Sequence, residues 1–148
     1  MIDKIARKMR EEKGFTLIEL MVVVLIIGIL IAIALPTFLG ARKRAQDRAA
    51  QSNLRNAIAA AKTFFTDNDI YTNFNAAAAA GIEPSLTWVD GGAAAINEVH
   101  IKLASATQVV MTTLSGSTTP FCIADDSTTG THYGKVDVAT YALCTGGW

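Results

Sequence analysis

The sequence predicts an α+β fold in which one long N-terminal helix packs on a small antiparallel β-sheet. Three observations support this prediction. Residues 15–35 form an apolar stretch long enough for a helix that crosses a bilayer. An amphipathic helical pattern follows it, and short runs rich in β-branched residues come between residues 99 and 124. We expect four segments, namely a charged leader (1–14), the apolar half of the long helix (15–36), its amphipathic half (37–66) and a globular region with the sheet (67–148).

The apolar stretch reads FTLIELMVVVLIIGILIAIAL, and its only polar side chains are those of Thr16 and Glu19. As a helix it would be about 31 Å long at ~1.5 Å per residue. An acid at the centre of a membrane helix costs roughly 2.5–3.5 kcal/mol, and somewhat less near an end. Glu19 therefore either lies among hydrated headgroups or meets a positive charge. Cleavage after Gly14 would supply that charge, because the new α-amino group of Phe15 would share a helix face with Glu19.

The run Gly14-Phe15-Thr16-Leu17-Ile18-Glu19, followed by 16 apolar residues, resembles the class III signal of type IV pilins. The resemblance implies a pilin-like fold and cleavage between Gly14 and Phe15 by a prepilin peptidase that also N-methylates Phe15. It implies that Glu19 pairs with the N-terminal amine of a neighbouring subunit during assembly. The expected partners are further copies of the chain in a homopolymeric filament, the peptidase, and the pilus assembly machinery.

The same resemblance predicts where the chain resides. Residues 1–14 are a charged leader, and its basic side chains keep the N-terminus in the cytoplasm. The subunit would wait in the plasma membrane as a single-pass protein and then enter an extracellular pilus. Four basic residues after the span weaken the charge signal for this orientation, namely Arg42, Lys43, Arg44 and Arg48.

Another processing route is an ordinary secretory signal. The tripeptide Ala32-Ile33-Ala34 fits a small-residue cleavage site, and cutting there would leave Leu35 at the new N-terminus. The apolar stretch is longer than such signals need, and Glu19 would lie inside it. Both features favour cleavage at Gly14.

Gly28 and Pro36 interrupt the apolar helix. Glycine costs about 1 kcal/mol against alanine in a helix, and an interior proline removes a hydrogen bond. Membrane helices often tolerate both residues. The resemblance implies more, since the segment between such a glycine and proline can lose helicity when pilins enter a filament. Our hypothesis is that residues 28–36 are helical in the membrane and partly extended in the pilus.

The amphipathic half of the helix, residues 37–66, has one apolar stripe formed by Leu54, Ile58, Ala61 and Phe65. Turn-forming residues from Thr66 to Asp69 end the helix. A calcium loop at these acids is the alternative, but the further carboxylates that such a loop needs do not follow at its spacing.

Three runs have strand character: Val99–Leu103, Thr107–Leu114 and Phe121–Ala124. Residues 136–143 could add a fourth strand, after a polar loop at residues 125–130. Short turns between consecutive strands suggest an antiparallel meander that packs on the apolar stripe of the helix. Tyr71 and Trp88 are expected to be core anchors between helix and sheet.

The two cysteines, Cys122 and Cys144, predict one disulfide, because paired cysteines are expected in an exported domain. Closing a loop of about 22 residues stabilises a fold by roughly 3 kcal/mol in the chain-entropy model. A metal site with His132 is the alternative, but the spacing matches no common zinc pattern.

Charge and motifs exclude several functions. The leader holds five of the 13 basic and three of the 13 acidic residues, so the remaining chain has 8 basic and 10 acidic residues. A nucleic-acid footprint would need a basic domain, so no specific nucleic-acid partner is predicted. No nucleophile elbow, metal-ligand pair or phosphate loop occurs. We expect a structural protein, not an enzyme, with no cofactor.

Two other functions share some of these features. A pseudopilin of a type II secretion or DNA-uptake system has the same signal and helix. The predicted cystine loop favours a pilin, since major pseudopilins usually carry a calcium-bound C-terminal loop. A membrane-tethered binding domain that never polymerises is the other alternative, and Glu19 within the span argues against it.

Overall fold

The fold is known from a computed structural model that describes residues 14–148. All of the predicted leader except Gly14 therefore lies outside the described residues. The chain divides into two compact units, Met1–Gly40 and Ala41–Trp148. The elements are α1 (Leu17–Asn68), α2 (Ala76–Ile82), β1 (Thr87–Asp90), β2 (Glu98–Ala104), β3 (Gln108–Leu114), β4 (Pro120–Asp126), β5 (Gly130–Gly134) and a 3₁₀ turn (Tyr141–Leu143).

The helix α1 contains 52 residues and continues through Pro36. It ends at Asn68, where Asp69 adopts a left-handed conformation with φ of 57°. The Asp69 amide donates to the carbonyl of Phe65 at 2.7 Å, which satisfies one of the last helical carbonyls. The turn chemistry predicted for residues 66–69 thus ends the helix, two residues later than expected.

The sheet has five strands in the order β1-β2-β3-β4-β5. Strands β2 to β5 form an antiparallel meander, as predicted. At one edge, β1 pairs in parallel with β2, with Thr87 opposite Glu98. The sequence did not predict β1, because it has only four residues and lies between low-complexity segments.

The core lies between the second half of α1 and one face of the sheet. Leu54, Ile58 and Ala61 of the predicted stripe are buried, and Phe65 is partly buried against the same cluster. Residues from the three central strands cover this face of the helix, namely Val99, Ile101, Val109, Met111, Phe121 and Ile123. This packing confirms the predicted fold class, a long helix on a small, mostly antiparallel sheet.

The aromatic anchors predicted for the core both pack there. Tyr71 is 1% exposed and its ring lies 4.7 Å from that of Phe65, centroid to centroid. Trp88 is partly buried on β1, where its ring meets the ring of Phe74 edge-on at 5.9 Å. The segment between helix and sheet is therefore part of the core.

The predicted fourth strand at residues 136–143 is wrong. The strand after β4 is β5, residues 130–134, and the later segment contains only the 3₁₀ turn. Asp137 is instead tied to other elements, since it pairs with the Lys102 ammonium at 2.9 Å and accepts from the Ala94 amide at 3.0 Å. These polar contacts replace a strand ladder in that segment.

A buried carboxylate connects α1 to the sheet. Asp125 is 3% exposed on β4 and accepts a hydrogen bond from the Tyr71 hydroxyl at 2.8 Å. Its other oxygen accepts from the Thr131 hydroxyl at 2.5 Å and lies 3.1 Å from the Lys62 ammonium on α1. A buried charge needs such partners, because leaving it without them is expensive.

We predict that Tyr71→Phe destabilises the head, by which we mean the unit Ala41–Trp148, by about 2 kcal/mol, because it removes a donor from a buried charged acceptor. Burial of the Tyr71 hydroxyl, then the adjacent Asp125, raises the pKa of Tyr71 above its usual value of 10.0. The neutral phenol therefore contributes stability that is present below pH 10 and lost as pH rises further.

Urea unfolding of the full chain in micelles, followed by tryptophan fluorescence between pH 8 and 11, measures both effects. The matched control is Tyr133→Phe, because the Tyr133 side chain is exposed. The Tyr71 variant should show a weaker loss of stability above pH 10 than the wild type. Equal stability at pH 8 and an unchanged alkaline slope would contradict this role for Tyr71.

Candidate processing and assembly segment

The proposed cleavage point lies just before α1. Gly14, Phe15 and Thr16 are non-helical, and all three are exposed. The Phe15 side chain is 92% exposed. Among the described residues, the Gly14–Phe15 bond therefore lies outside the helix and between two exposed residues, where a peptidase could reach it.

Thr16 and Glu19 form a capping box at the start of α1. The Thr16 amide donates to Glu19 Oε2 at 2.8 Å, and the Thr16 hydroxyl donates to the same oxygen at 2.7 Å. In return, the Glu19 amide donates to Thr16 Oγ1 at 3.3 Å. This reciprocal arrangement satisfies two backbone donors that a helix N-terminus otherwise leaves without partners.

The capping box gives Glu19 a local reason to lie in an apolar helix. One carboxylate oxygen, Oε2, is held by Thr16, and the other, Oε1, accepts no hydrogen bond from residues 14–148. The carboxylate also lies in the first turn, where the helix dipole favours negative charge. Glu19 can thus keep its cap and still present an oxygen to an external cation.

Thr16 is the functional residue that the sequence reasoning missed. The signal was present, because Thr16-Leu17-Ile18-Glu19 has the Thr-x-x-Glu spacing of a capping box directly before an apolar run. Glu19 therefore has a second role besides its charge, as an acceptor for Thr16 at the start of its own helix.

Gly28 and Pro36 lie inside the continuous helix, away from Glu19 along its axis. A methyl group added at Gly28 would meet no atom within 4 Å. Pro36 has no amide hydrogen, so the carbonyl of Ala32, four residues earlier, lacks its usual helical donor. The structure shows a helix at both residues and leaves the hypothesis of local extension as a proposal.

The first part of α1 is apolar and exposed throughout. Large apolar side chains from Leu17 to Leu39 are between 47% and 76% exposed. By length and composition this helix is able to cross a membrane, and none of its most hydropathic window is buried within the described residues. Such a surface needs cover from lipid or from other proteins.

Cys122 and Cys144 form the predicted disulfide, with their Cα atoms 5.9 Å apart. The bond occupies both sulfurs, so the alternative metal site with His132 is wrong. The C-terminal segment lies alongside β5, and the Gly147 amide donates a hydrogen bond to the Tyr133 carbonyl at 2.9 Å. Gly134 allows this approach, because a Cβ there would lie 2.7 Å from the Thr145 carbonyl oxygen.

Comparison with known proteins identifies the N-terminal motif. The family model described as "Prokaryotic N-terminal methylation motif" matches residues 9–35. This range contains Gly14, Phe15 and Glu19. It covers the start of α1 and leaves the sheet outside the match.

Individual relatives agree with that match. The chain is 45% identical over 71 residues to the type IV major pilin protein PilA of Myxococcus xanthus. The aligned residues make up 48% of this chain and 32% of the relative. The chain is 46% identical over 69 residues to the type IV wide pilus major component PilA4 of Thermus thermophilus, covering 47% and 53%. The chain thus spans about half, or less, of the length of these relatives.

A relative from another system matches more weakly. The type II secretion system core protein G of Vibrio cholerae is 38% identical over 65 residues, covering 44% of each chain. No solved structure matches. The relatives are named as pilins or secretion components, which agrees with the expectation of a structural protein and not an enzyme.

We predict that Thr16→Ala weakens the start of α1, because it removes the hydroxyl that caps the Glu19 amide. Loss of a threonine cap costs about 1 kcal/mol, so the Glu19 amide should exchange with solvent roughly fivefold faster. Hydrogen exchange measured by NMR on the full chain in micelles reports this change directly.

Two variants serve as controls for the cap. Thr16→Ser keeps the hydroxyl and should exchange like the wild type. Thr37→Ala removes a threonine from the helix interior and should leave the Glu19 amide unaffected. Exchange at Glu19 that is the same in Thr16→Ala as in the wild type would refute the capping role.

Proposed function

We propose that the chain is the structural subunit of a type IV pilus, because residues 9–35 match the prokaryotic N-terminal methylation motif and about half of the chain is similar to a type IV major pilin. The observation that carries the proposal is the exposed apolar surface of α1, which begins at Leu17, shortly after the Gly14–Phe15 bond. A subunit with this surface is soluble only in a membrane or in an assembly.

In this proposal a prepilin peptidase cuts between Gly14 and Phe15 and N-methylates Phe15. Residues 1–14 are the leader, 15–36 form the filament core, 37–66 carry the head, and 67–148 complete the head with its sheet and disulfide loop. Before assembly the chain spans the plasma membrane once with its N-terminus in the cytoplasm, and after assembly it is part of an extracellular pilus.

Assembly replaces lipid with neighbouring subunits around α1. Burial of a large apolar side chain is worth about 1.5–3 kcal/mol against water, but lipid gives much the same benefit. The apolar term therefore nearly cancels when the subunit leaves the membrane, and close packing and polar contacts must favour the filament. In the first turn of α1, the side chain that could make such a polar contact is that of Glu19.

We propose that Glu19 binds the N-terminal amine of a neighbouring subunit. Its Oε2 is held by Thr16, and its Oε1 is available within the described residues. An amine at Oε1 would neutralise the carboxylate as both groups leave water. Thr16 thereby orients the acid that receives the charge.

We predict that Glu19→Ala leaves cleavage at Gly14 intact and lowers the yield of sheared filaments roughly tenfold or more, since breaking a buried ion pair is strongly destabilising. Glu19→Gln is the informative control, because glutamine also completes a capping box but carries no charge. Both variants should be processed and assemble poorly. Normal filament yield from Glu19→Gln would show that capping alone matters and would contradict the ion pair.

A second candidate is a pseudopilin, favoured by the match to the type II secretion core protein. The higher identity to major pilins and the Cys122–Cys144 loop favour the pilus subunit. Electron microscopy of sheared surface material distinguishes the two. Long surface filaments containing this chain support the pilin function, and their absence, with secretion or DNA uptake lost in a deletion strain, supports the pseudopilin.

Residues 28–36 are proposed to lose part of their helicity in the pilus. The support is the unpaired carbonyl expected at Ala32 and the low helix propensity of Gly28. We predict a gap in helical density between these residues in a cryo-EM map of the filament. A Gly28→Ala/Pro36→Ala variant should close the gap or assemble less, and an unbroken wild-type helix there would refute the proposal.

A further inference from the structure

Four basic residues follow the exposed apolar part of α1, and we call them the basic collar: Arg42, Lys43, Arg44 and Arg48. All four are exposed. The collar begins three residues after Leu39 in the same helix, and Phe38 and Leu39 are still 65% and 47% exposed. Cations therefore appear directly where the apolar surface ends.

The collar has no counter-ion within the part of the chain that the structure describes. None of its four side chains forms an ion pair with residues 14–148. The only acid between Glu19 and Asp67 is Asp47. Asp47 instead accepts from the hydroxyls of Ser115 at 2.6 Å and Ser117 at 2.5 Å, in the turn between β3 and β4.

The collar residues point to different sides of the helix. Successive residues of an α-helix are turned by about 100°, so Arg42, Lys43 and Arg44 project in three directions. Arg44 and Arg48 are four apart, where like charges repel unless an anion lies between them. A flat protein partner would meet one side of the helix, whereas lipid headgroups surround a membrane-crossing helix on all sides.

We propose that the basic collar binds anionic phospholipid headgroups on the side of the membrane opposite the leader. This inference rests on the membrane-resident state in the proposed function. Guanidinium groups suit the ligand, because one guanidinium can donate two parallel hydrogen bonds to two oxygens of the same phosphate. The contact fixes how far α1 emerges from the bilayer, and a subunit that enters a filament must release it.

The test uses the full chain in nanodiscs of phosphatidylcholine containing a minority of phosphatidylglycerol. Native mass spectrometry counts the lipids that stay bound. The wild type should retain phosphatidylglycerol several-fold above its share of the nanodisc. The variant Arg42→Gln/Lys43→Gln/Arg44→Gln/Arg48→Gln should lose roughly fivefold or more of this preference at low salt.

A charge-preserving control separates electrostatics from helix structure. The variant Arg42→Lys/Arg44→Lys/Arg48→Lys should retain more of the preference than the neutral variant and less than the wild type, because lysine keeps the charge and loses the bidentate contact. The leader is present in all chains, so its basic residues contribute equally. Helicity by circular dichroism and an intact disulfide check that each variant folds.

Three results would overturn the proposal. The first is a neutral variant that retains phosphatidylglycerol as the wild type does, the second is a preference that occurs only in oligomers, and the third is a chain that does not insert into the nanodisc. Oligomer-only binding would identify a second copy as the partner. The outcome is independent of filament formation, since a chain that prefers anionic lipid yet forms no filaments would refute the pilus function and leave the collar in place.

Discussion

The exposed apolar surface of α1 is the constraint on which the rest of the molecule depends. The side chains from Leu17 to Leu39 find no partner in the described chain, although each would gain about 1.5–3 kcal/mol from leaving water. The same helix beyond Gly40 has a core of its own. One element therefore has two different burial environments, of which the chain itself supplies only the second.

The second half of α1 is joined to the sheet by polar contacts as well as by its apolar stripe. Lys62 lies beside the buried Asp125, and Asp47 binds the β3–β4 turn through Ser115 and Ser117. The disulfide and the contacts of the last residues with β5 close the other end of the sheet. These contacts all lie within residues 41–148, and none of them involves the apolar half of the helix.

Much of the fold was predictable from the sequence, because several of its elements depend on strong local patterns. The apolar length, the stripe at Leu54, Ile58 and Ala61, and the β-branched runs of β2 and β3 each identify their element. Strands β1 and β5 were not predictable in the same way. Strand β5, with the sequence Gly-Thr-His-Tyr-Gly, is short and has a glycine at each end, and it pairs with β4 and with the C-terminal segment.

The candidate site likewise combines residues that the sequence pattern identifies with a feature that it does not. The roles of Gly14, Phe15 and Glu19 were predicted from the resemblance of this motif to the class III signal, and they stay predictions. The role of Thr16 follows from a capping pattern that the sequence contains, but charge alone does not reveal it. The neighbour that would neutralise Glu19 belongs to another subunit, and no feature within one chain determines its position.

The central claim is that cleavage creates the amine that Glu19 meets in the filament. N-terminal peptide mass spectrometry of the chain recovered from sheared, purified filaments tests it most directly. We predict that the chain begins at Phe15 and that its amine is methylated. A chain that begins at Met1, with its leader retained, or at Leu35, with the apolar half removed, would contradict the account.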